Sequence, residues 1–448
     1  MQVANLPRTV LNLAFPLFPF VARIRYNASM KTPQPSKPPK RPFIPARPAD
    51  WLIKTAQEVV RAQLSLKNKV EVQKSEIEIL RKLPPGAGVV LTSNHADETD
   101  PRVVIELSRR SGKRFISMCN REAFDENFGL AGWALQRLGH FSVERGAHDA
   151  PAKGFAIEVM KRGTDILVVF PEGEIFYMND VVQPFHSGAI DIGIQAIIEN
   201  RKDNPNWTAY ILPMAIKYHN EKPIDTILEK RIAKMEQQLK MSPSETSLPK
   251  RLLAIQQNLL RKQEAAHGIT FDDNSVPDLE DEIRAARRAI LSNVEVKHGS
   301  QPLPDNRRAI DESWKLGAEL RETLAEQTDI KEKAAIQDDI ETLREVAQLA
   351  SWHPHYYEST NSTDRLAEAV LKLERELYRI KRPEQLTERR VFIKLAEPVD
   401  LGVYVEEYLA DAHSVRHKVT EKLQGKIQGM LDELVTALSS TGQSPAQR

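Results

Sequence analysis

The chain has very little cysteine: Cys119 is the one cysteine among its 448 residues. An intramolecular disulfide and a cysteine-rich metal site are therefore excluded, and a reducing, cytosolic compartment is expected. The formal net charge is also small, at +1, so the overall charge predicts no nucleic-acid partner. Hydrophobic residues make up 41% of the chain, which is enough for a buried core and excludes global disorder.

A long hydrophobic run is also missing. Between Arg8 and Arg23 lie fourteen uncharged residues interrupted by two prolines. A membrane-spanning helix needs roughly 20 apolar residues, so this stretch does not qualify. Residues 1–50 hold eight Lys or Arg and one acid, which predicts a basic, Pro-rich tail with a possible anchor at a membrane interface. A translation start at Met30 is the alternative, and both readings stay open.

Strand-like and helix-like segments alternate through the first half of the chain. A helical pattern comes first, over 51–83, and Pro84-Pro85-Gly86 ends it. Apolar, strand-like runs then follow at 89–92, 114–118, 140–144, 165–170 and 209–216. Helical segments are predicted at 101–110, 129–138, 151–161 and 187–200. This alternation is typical of an α/β fold with a mostly parallel sheet flanked by helices.

The composition changes at about residue 221. Residues 221–385 are charged and Gln-rich, with short apolar seams that predict helical hairpins packed outside the sheet. After Pro383 the sequence predicts a strand and a turn at 389–401, and an amphipathic helix follows. We therefore predict a large helical insertion before the last strand. The expected domains are a tail at 1–50, an α/β domain at 51–220, the insertion at 221–385, and a return to the α/β domain at 386–448.

The sharpest chemical feature is a histidine that directly follows a predicted buried strand. His95 stands five residues before Asp100, and in open α/β sheets ligands bind where strands end. A carboxylate that binds one ring nitrogen fixes the tautomer and makes the other nitrogen a better base. A polar loop without chemistry and a metal site from His95, Asp97 and Asp100 are the alternatives. No second histidine with ligand spacing is nearby, which disfavours metal.

Two further groups also lie at predicted strand ends. Glu172 and Gly173 follow the run at 165–170, where Pro-Glu-Gly is by itself only a turn. Arg145 ends the segment at 140–144, where a guanidinium could bind phosphate with two hydrogen bonds. A surface arginine at a strand end is the plainer interpretation.

Taken in order, these segments resemble the lysophosphatidic acid and glycerol-phosphate acyltransferases. That family's Asn-His-x4-Asp block matches Asn94, His95 and Asp100, and its block ending in arginine matches Phe141 to Arg145. Its Phe-Pro-Glu-Gly block matches 170–173, and its apolar block with a central proline matches 212–216. The likeness covers about 84–218 and 389–401.

The resemblance implies transfer of an acyl group from acyl-CoA or acyl-carrier protein to a lipid hydroxyl, with 1-acylglycerol-3-phosphate the expected acceptor in phospholipid synthesis. It implies His95 as base and Asp100 as its orienter. Arg145, Glu172, Gly173 and Asn94 would bind substrate. No metal or other cofactor is required. The expected location is peripheral, at the cytoplasmic face of a membrane.

The chain departs from that pattern beside the third block. Glu174 and Ile175 stand where the family usually has Thr or Ser, often followed by Arg. His186-Ser187 stands where a lysine often precedes the glycine matched by Gly188. These changes concern the acceptor. Two other functions remain open: a non-catalytic helical scaffold with an acyltransferase-like domain, and an acyl-thioester hydrolase.

Overall fold

The computed structural model describes residues 41–146, 149–242, 247–270, 278–302, 309–358, 360, 362–380 and 382–441. The predicted interfacial anchor and nearly all of the basic tail therefore lie outside the described residues. Within the described part, no helix is long and apolar enough to cross a membrane.

One mixed sheet forms the centre of the α/β part. Its strands are β1 (Asn68–Val72), β2 (Gly88–Ser93), β3 (Phe115–Asn120), β4 (His140–Val143), β5 (Ile166–Val169), β6 (Ala209–Asn220), β7 (Arg389–Leu395) and β8 (Val399–Asp400). Their order is β1-β7-β6-β2-β5-β3-β4, with β8 paired to β6. Among the strand pairs of the described residues, only β6–β7 and β6–β8 are antiparallel. The predicted, mostly parallel sheet is confirmed.

Helices cover both faces of this sheet. They are α1 (Asp50–Lys67), α2 (Lys74–Arg81), α3 (Asp100–Ser111), α4 (Arg121–Asp125), α5 (Leu130–Arg137), α6 (Ala150–Arg162), α7 (Gly188–Asn200), α14 (Val405–Ala410) and α15 (Ala412–Thr441). One hydrophobic core contains side chains from α6, α7 and α15, and a second contains side chains from α1, α2 and α3. A sheet buried on both faces explains why its parallel strands are continuous apolar runs.

One secondary-structure prediction is wrong in detail. The helix expected over 51–83 is interrupted by β1, which pairs in parallel with β7. The partner strand β7 lies more than 300 residues further along the chain, so the local sequence pattern does not indicate this pairing. The strand and turn expected over 389–401 are confirmed, because β7 ends at Leu395 and Glu397-Pro398 precede the short strand β8. Proline has no N–H for the ladder.

Among the described residues, six α-helices lie between β6 and β7. They are α8 (Asp225–Leu239), α9 (Leu248–Ala266), α10 (Leu279–Lys297), α11 (Ala309–Glu326), α12 (Ile330–Leu349) and α13 (Thr363–Tyr378). They bury a third hydrophobic core of their own, to which the α/β part adds Phe176 and Met178. The helical insertion expected before the last strand is confirmed.

Candidate functional site

Parallel strands bring the first three family-like blocks of the sequence to one edge of the sheet. His95 follows β2, Arg145 follows β4, and Phe170 follows β5, and these strands all run in the same direction. The carboxyl ends of such strands form the crevice where α/β proteins bind ligands.

The histidine and aspartate of the first block are in direct contact. His95 Nδ1 lies 2.8 Å from Asp100 Oδ2. A tight turn makes this possible, because the Asp100 N–H donates to the Asp97 carbonyl and α3 begins at Asp100. The His95 side chain keeps 13% of its surface exposed, whereas that of Asp100 is fully buried. A substrate can therefore reach the histidine but not the aspartate.

Two more donors converge on Asp100. The Tyr218 hydroxyl donates to Oδ1 at 2.5 Å, and the Asp97 N–H donates to Oδ2 at 3.0 Å. Burial and the nearby Asp100 charge raise the pKa of Tyr218 well above its usual range, so the phenol keeps its proton. Tyr218 lies on β6, and sequence reasoning missed it because nothing near residue 218 marks a partner 118 residues away.

Arg389, the first residue of β7, reaches the same loop. Its guanidinium binds Asp97 at 2.8 Å and lies 4.5 Å from the centre of the Tyr218 ring. Burial acts to raise the pKa of Asp97, but the charge and hydrogen bond of Arg389 and the hydrogen bonds from Thr99 together outweigh it, so the pKa is lowered. The strand after the insertion thus completes the support of the His95 loop, a second contribution that the sequence did not indicate.

The second strand end packs directly against His95. Phe170 stacks on the imidazole, with ring centres 4.2 Å apart. Two residues later, Glu172 is buried and accepts hydrogen bonds from the backbone of Gln183 and of His95. Burial raises the pKa of Glu172 well above its usual range. The structure places this predicted substrate-binding residue beneath the histidine, where it holds the loop.

Gly173 is at a position that only glycine fits well. Its φ is +72°, a left-handed conformation that other residues rarely adopt. An added Cβ would lie 3.2 Å from both the His186 ring and the Trp314 ring. The turn therefore passes close to the insertion, because Trp314 belongs to α11.

Both polar atoms of the Asn94 side-chain amide form hydrogen bonds to the protein backbone. Its Nδ2 donates to the Ile216 carbonyl at 3.0 Å, and its Oδ1 accepts from the Ile216 N–H at 2.9 Å. The side chain is 1% exposed and extends the contact between β2 and β6. Its part in substrate binding stays a prediction, whereas its anchoring of the His95 loop is visible.

Arg145 forms an ion pair at the site. Its guanidinium donates to Glu174 at 2.6 Å and lies 5.6 Å from the centre of the Trp314 ring. The adjacent Gly146 touches the α11 backbone so closely that an added Cβ would lie 2.2 Å from the Trp314 carbonyl carbon. The insertion therefore packs directly on this part of the sheet edge.

The residues that depart from the family pattern contact the same region. Glu174 neutralises Arg145, and the His186 ring centre lies 5.8 Å from that of Trp314. The unusual side chains beside the third block are thus explained by the packing of the helical insertion. Sequence reasoning identified the departures but not this cause.

The acidic side chains of the His95 loop are already engaged by protein groups. Asp97 is bonded to Arg389 and Asp100 to His95. Among the described residues, no group of three or more His, Cys, Asp or Glu is arranged to hold a metal ion. A histidine with a buried carboxylate on one ring nitrogen is the arrangement that a general base and its orienter require.

Comparison with models of protein families gives a match within the α/β part. Residues 74–217 match the family model described as Acyltransferase. This range contains all four blocks, from His95 to the central proline of β6. No curated protein matches the chain.

Proposed function

We propose that the protein moves a fatty acyl group from a thioester to a lipid hydroxyl, on the premise that residues 74–217 match the Acyltransferase family model. The proposed donor is acyl-CoA or acyl-carrier protein, and the proposed acceptor is 1-acylglycerol-3-phosphate. The observation that carries the proposal is the 2.8 Å contact between a reachable histidine and a fully buried aspartate.

His95 acts as the base in this proposal. With its Nδ1–H directed at Asp100, its Nε2 has a free lone pair that accepts the proton of the acceptor hydroxyl. The hydroxyl oxygen then attacks the thioester carbonyl. The tetrahedral intermediate expels the thiolate, which takes the proton back from His95, so an ester and a free thiol result. No enzyme nucleophile takes part, and no acyl-enzyme is expected.

Asp100 has a supporting role in each step. It fixes the tautomer of His95 and stabilises the positive charge that forms on the ring. Three donors hold Asp100 itself in place, so the pair is preorganised before substrate arrives.

The test is acyl transfer by purified protein, measured by mass spectrometry with both donors and several lysophospholipids. We expect His95→Ala to lower kcat by about 100- to 10,000-fold, the usual contribution of a general base. His413→Ala, at an exposed histidine of α15, is the matched control. Activity that survives His95→Ala would refute the proposed base.

The same assay separates the two alternatives. Release of free fatty acid at the same rate with and without acceptor would indicate a hydrolase. A wild-type protein that is inactive with every acceptor would favour a scaffold.

We further propose that the enzyme works at the cytoplasmic surface of a membrane, where its lipid substrate resides. The support is the basic sequence of residues 1–50, since each basic residue near an anionic surface contributes about 1 kcal/mol. Sedimentation with anionic vesicles should fall when residues 1–40 are removed and when salt is added. Equal binding by both chains would contradict this.

A further inference from the structure

Strand β6 extends beyond its neighbour β2 toward the proposed base. In the described part of the chain, β2 pairs with β6 as far as Met214. Two residues further on, the Asn94 side chain takes the place of a strand, because it binds both the N–H and the carbonyl of Ile216. Successive residues of a strand direct these groups to opposite edges, so Tyr218 presents its own pair at the same edge as Ile216. Tyr218 is buried and therefore needs a second partner of this kind.

Asn179 is that second partner. It lies in the irregular segment between β5 and α7, outside the four family-like blocks. Its Nδ2 donates to the Tyr218 carbonyl at 2.7 Å, and its Oδ1 accepts from the Tyr218 N–H at 2.7 Å. Asn179 is 1% exposed, so water cannot replace these two hydrogen bonds. The side-chain amides of Asn94 and Asn179 thus continue the edge of the sheet past the end of β2.

The insertion holds the backbone of Asn179 in place. A buried irregular segment has to find acceptors for its N–H groups in other parts of the chain. Here the Asn179 N–H donates to Glu368 on α13 at 3.3 Å, and the Asp180 N–H donates to the Tyr356 hydroxyl at 3.1 Å. The Tyr356 hydroxyl in turn donates to Glu368 at 2.8 Å, and the Asp180 carboxylate accepts from Arg365 of α13 at 2.8 Å. These contacts fix the segment that carries Asn179.

Tyr218 connects this arrangement to the site. Its hydroxyl donates to Asp100 Oδ1 at 2.5 Å, and Asp100 Oδ2 lies 2.8 Å from His95 Nδ1. Because a hydrogen bond weakens steeply when its donor is displaced or tilted, the Tyr218 hydroxyl is useful only while its backbone stays in position. The groups that fix the Tyr218 backbone therefore also fix a donor to Asp100.

We propose that Asn179 is a positioning residue for the His95–Asp100 pair and acts through the backbone of Tyr218. A displaced Tyr218 hydroxyl leaves Asp100 with one donor fewer, so the imidazole is oriented less well for proton transfer. The inference rests on the proposed function for its reaction. It also gives the insertion a part in that reaction, because α13 holds Asn179.

Steady-state kinetics of acyl transfer test this role in the full-length protein. We expect Asn179→Ala to lower kcat about tenfold with little change in KM, the same loss as Tyr218→Phe. Since both substitutions remove one and the same interaction, the double variant should also lose about tenfold. Losses that multiply, or a change in KM alone, would overturn the proposal. Asn293→Ala is the matched control, because this exposed amide on α10 also donates to a backbone carbonyl.

A second variant separates positioning from a packing defect. Leucine branches at the same carbon as asparagine and fills the same space, so Asn179→Leu removes both hydrogen bonds without leaving a cavity. Equal losses of kcat in Asn179→Leu and Asn179→Ala support the proposal. Wild-type kcat in a folded Asn179→Leu protein, with the fold checked by circular dichroism, refutes it.

Nuclear magnetic resonance decides the role without any substrate. In protein that carries isotope-labelled histidine, the Nδ1–H proton of His95 is identified by its absence from His95→Ala. We expect Asn179→Leu and Tyr218→Phe to shift this signal and to speed the exchange of the proton with water, while the ring signals of the histidines in the insertion keep their positions. An unchanged His95 signal in Asn179→Leu overturns the proposal. If no acyl transfer is found at all, the proposed function fails, and this measurement still decides whether Asn179 positions the pair.

Discussion

At the scale of single residues, the central feature is the number of groups that hold Asp100. Of the three donors to Asp100 described above, only the Tyr218 hydroxyl lies outside the His95 loop. We expect Tyr218→Phe to lower kcat about tenfold with little change in KM, because a hydrogen bond to a buried charge contributes about 1.5–3 kcal/mol. Steady-state kinetics with the acceptor varied measures both constants.

A pH profile separates positioning from simple destabilisation in this variant. Asp100 with one donor fewer interacts more strongly with a protonated imidazole, so the acidic limb of kcat/KM should move to higher pH. Tyr210→Phe, elsewhere on β6, is the matched control. A uniform loss at every pH would argue against a positioning role.

Glu172 offers a second prediction at this scale. Burial raises its pKa in the folded state, so the folded protein holds a proton that the unfolded chain releases above its ordinary pKa of about 4.3. The resulting stabilisation is complete below that pKa and is lost as pH rises through the raised one. We expect Glu172→Gln to lie within about 1 kcal/mol of the wild type at acidic pH, and to become the more stable protein as pH rises.

Thermal unfolding from pH 4 to 9 measures this difference. Glu229→Gln, at an exposed position on α8, should show no such trend. A stability difference that does not change with pH would contradict a raised pKa for Glu172.

At the scale of elements, β6 connects the insertion to the site. Asp364, near the start of α13, accepts from the Asn220 N–H at 2.9 Å and from His219 Nδ1 at 2.9 Å. It also lies 3.5 Å from the buried Lys217 ammonium. Tyr218, between these residues, faces Asp100. The same strand therefore holds α13 and orients the proposed base.

We predict that Asp364→Asn destabilises the protein by about 2 kcal/mol at neutral pH. Burial acts to raise the pKa of Asp364, but the His219 hydrogen bond and the Lys217 charge together lower it to about 2. Its stabilisation is therefore present above about pH 4 and is lost as pH falls toward 2. Denaturant unfolding at several pH values tests this, with the exposed Asp338→Asn as control. A deficit that persists unchanged at acidic pH would contradict it.

The sequence predicts strands that have a local apolar pattern, but it does not predict a strand whose pairing partner lies far along the chain. The apolar runs of β2 and β5 are recognisable because both faces of the sheet bury them. The short strand β1, NKVEV, continues a helical pattern and pairs only with β7. Its identity is decided by a neighbour far along the chain.

At the scale of the whole molecule, the insertion and the α/β part have separate hydrophobic cores. Asn220, the last residue of β6, pairs with Arg389, the first residue of β7. We predict that residues 221–388 can be replaced by a two-residue Asn-Gly turn, because antiparallel neighbours in this register suit a tight hairpin. The shortened chain should unfold cooperatively, at a cost of roughly 1.5–3 kcal/mol for each exposed apolar side chain such as Phe176.

Circular dichroism and scanning calorimetry check this prediction. The shortened chain should keep a cooperative unfolding transition. An aggregated or non-cooperative product would show that the α/β part cannot fold without the insertion.

The sequence by itself determined the α/β class, the helical insertion, and the placing of His95, Arg145 and Glu172 after successive strands. Each of these follows from local apolar patterns and from the rule that parallel strands end at one edge. Only the tertiary structure decided which partner each side chain has. Arg389 meets Asp97 across 292 residues, and Trp314 covers Arg145 from another helix layer. Such contacts depend on how distant elements pack, and no local pattern encodes them.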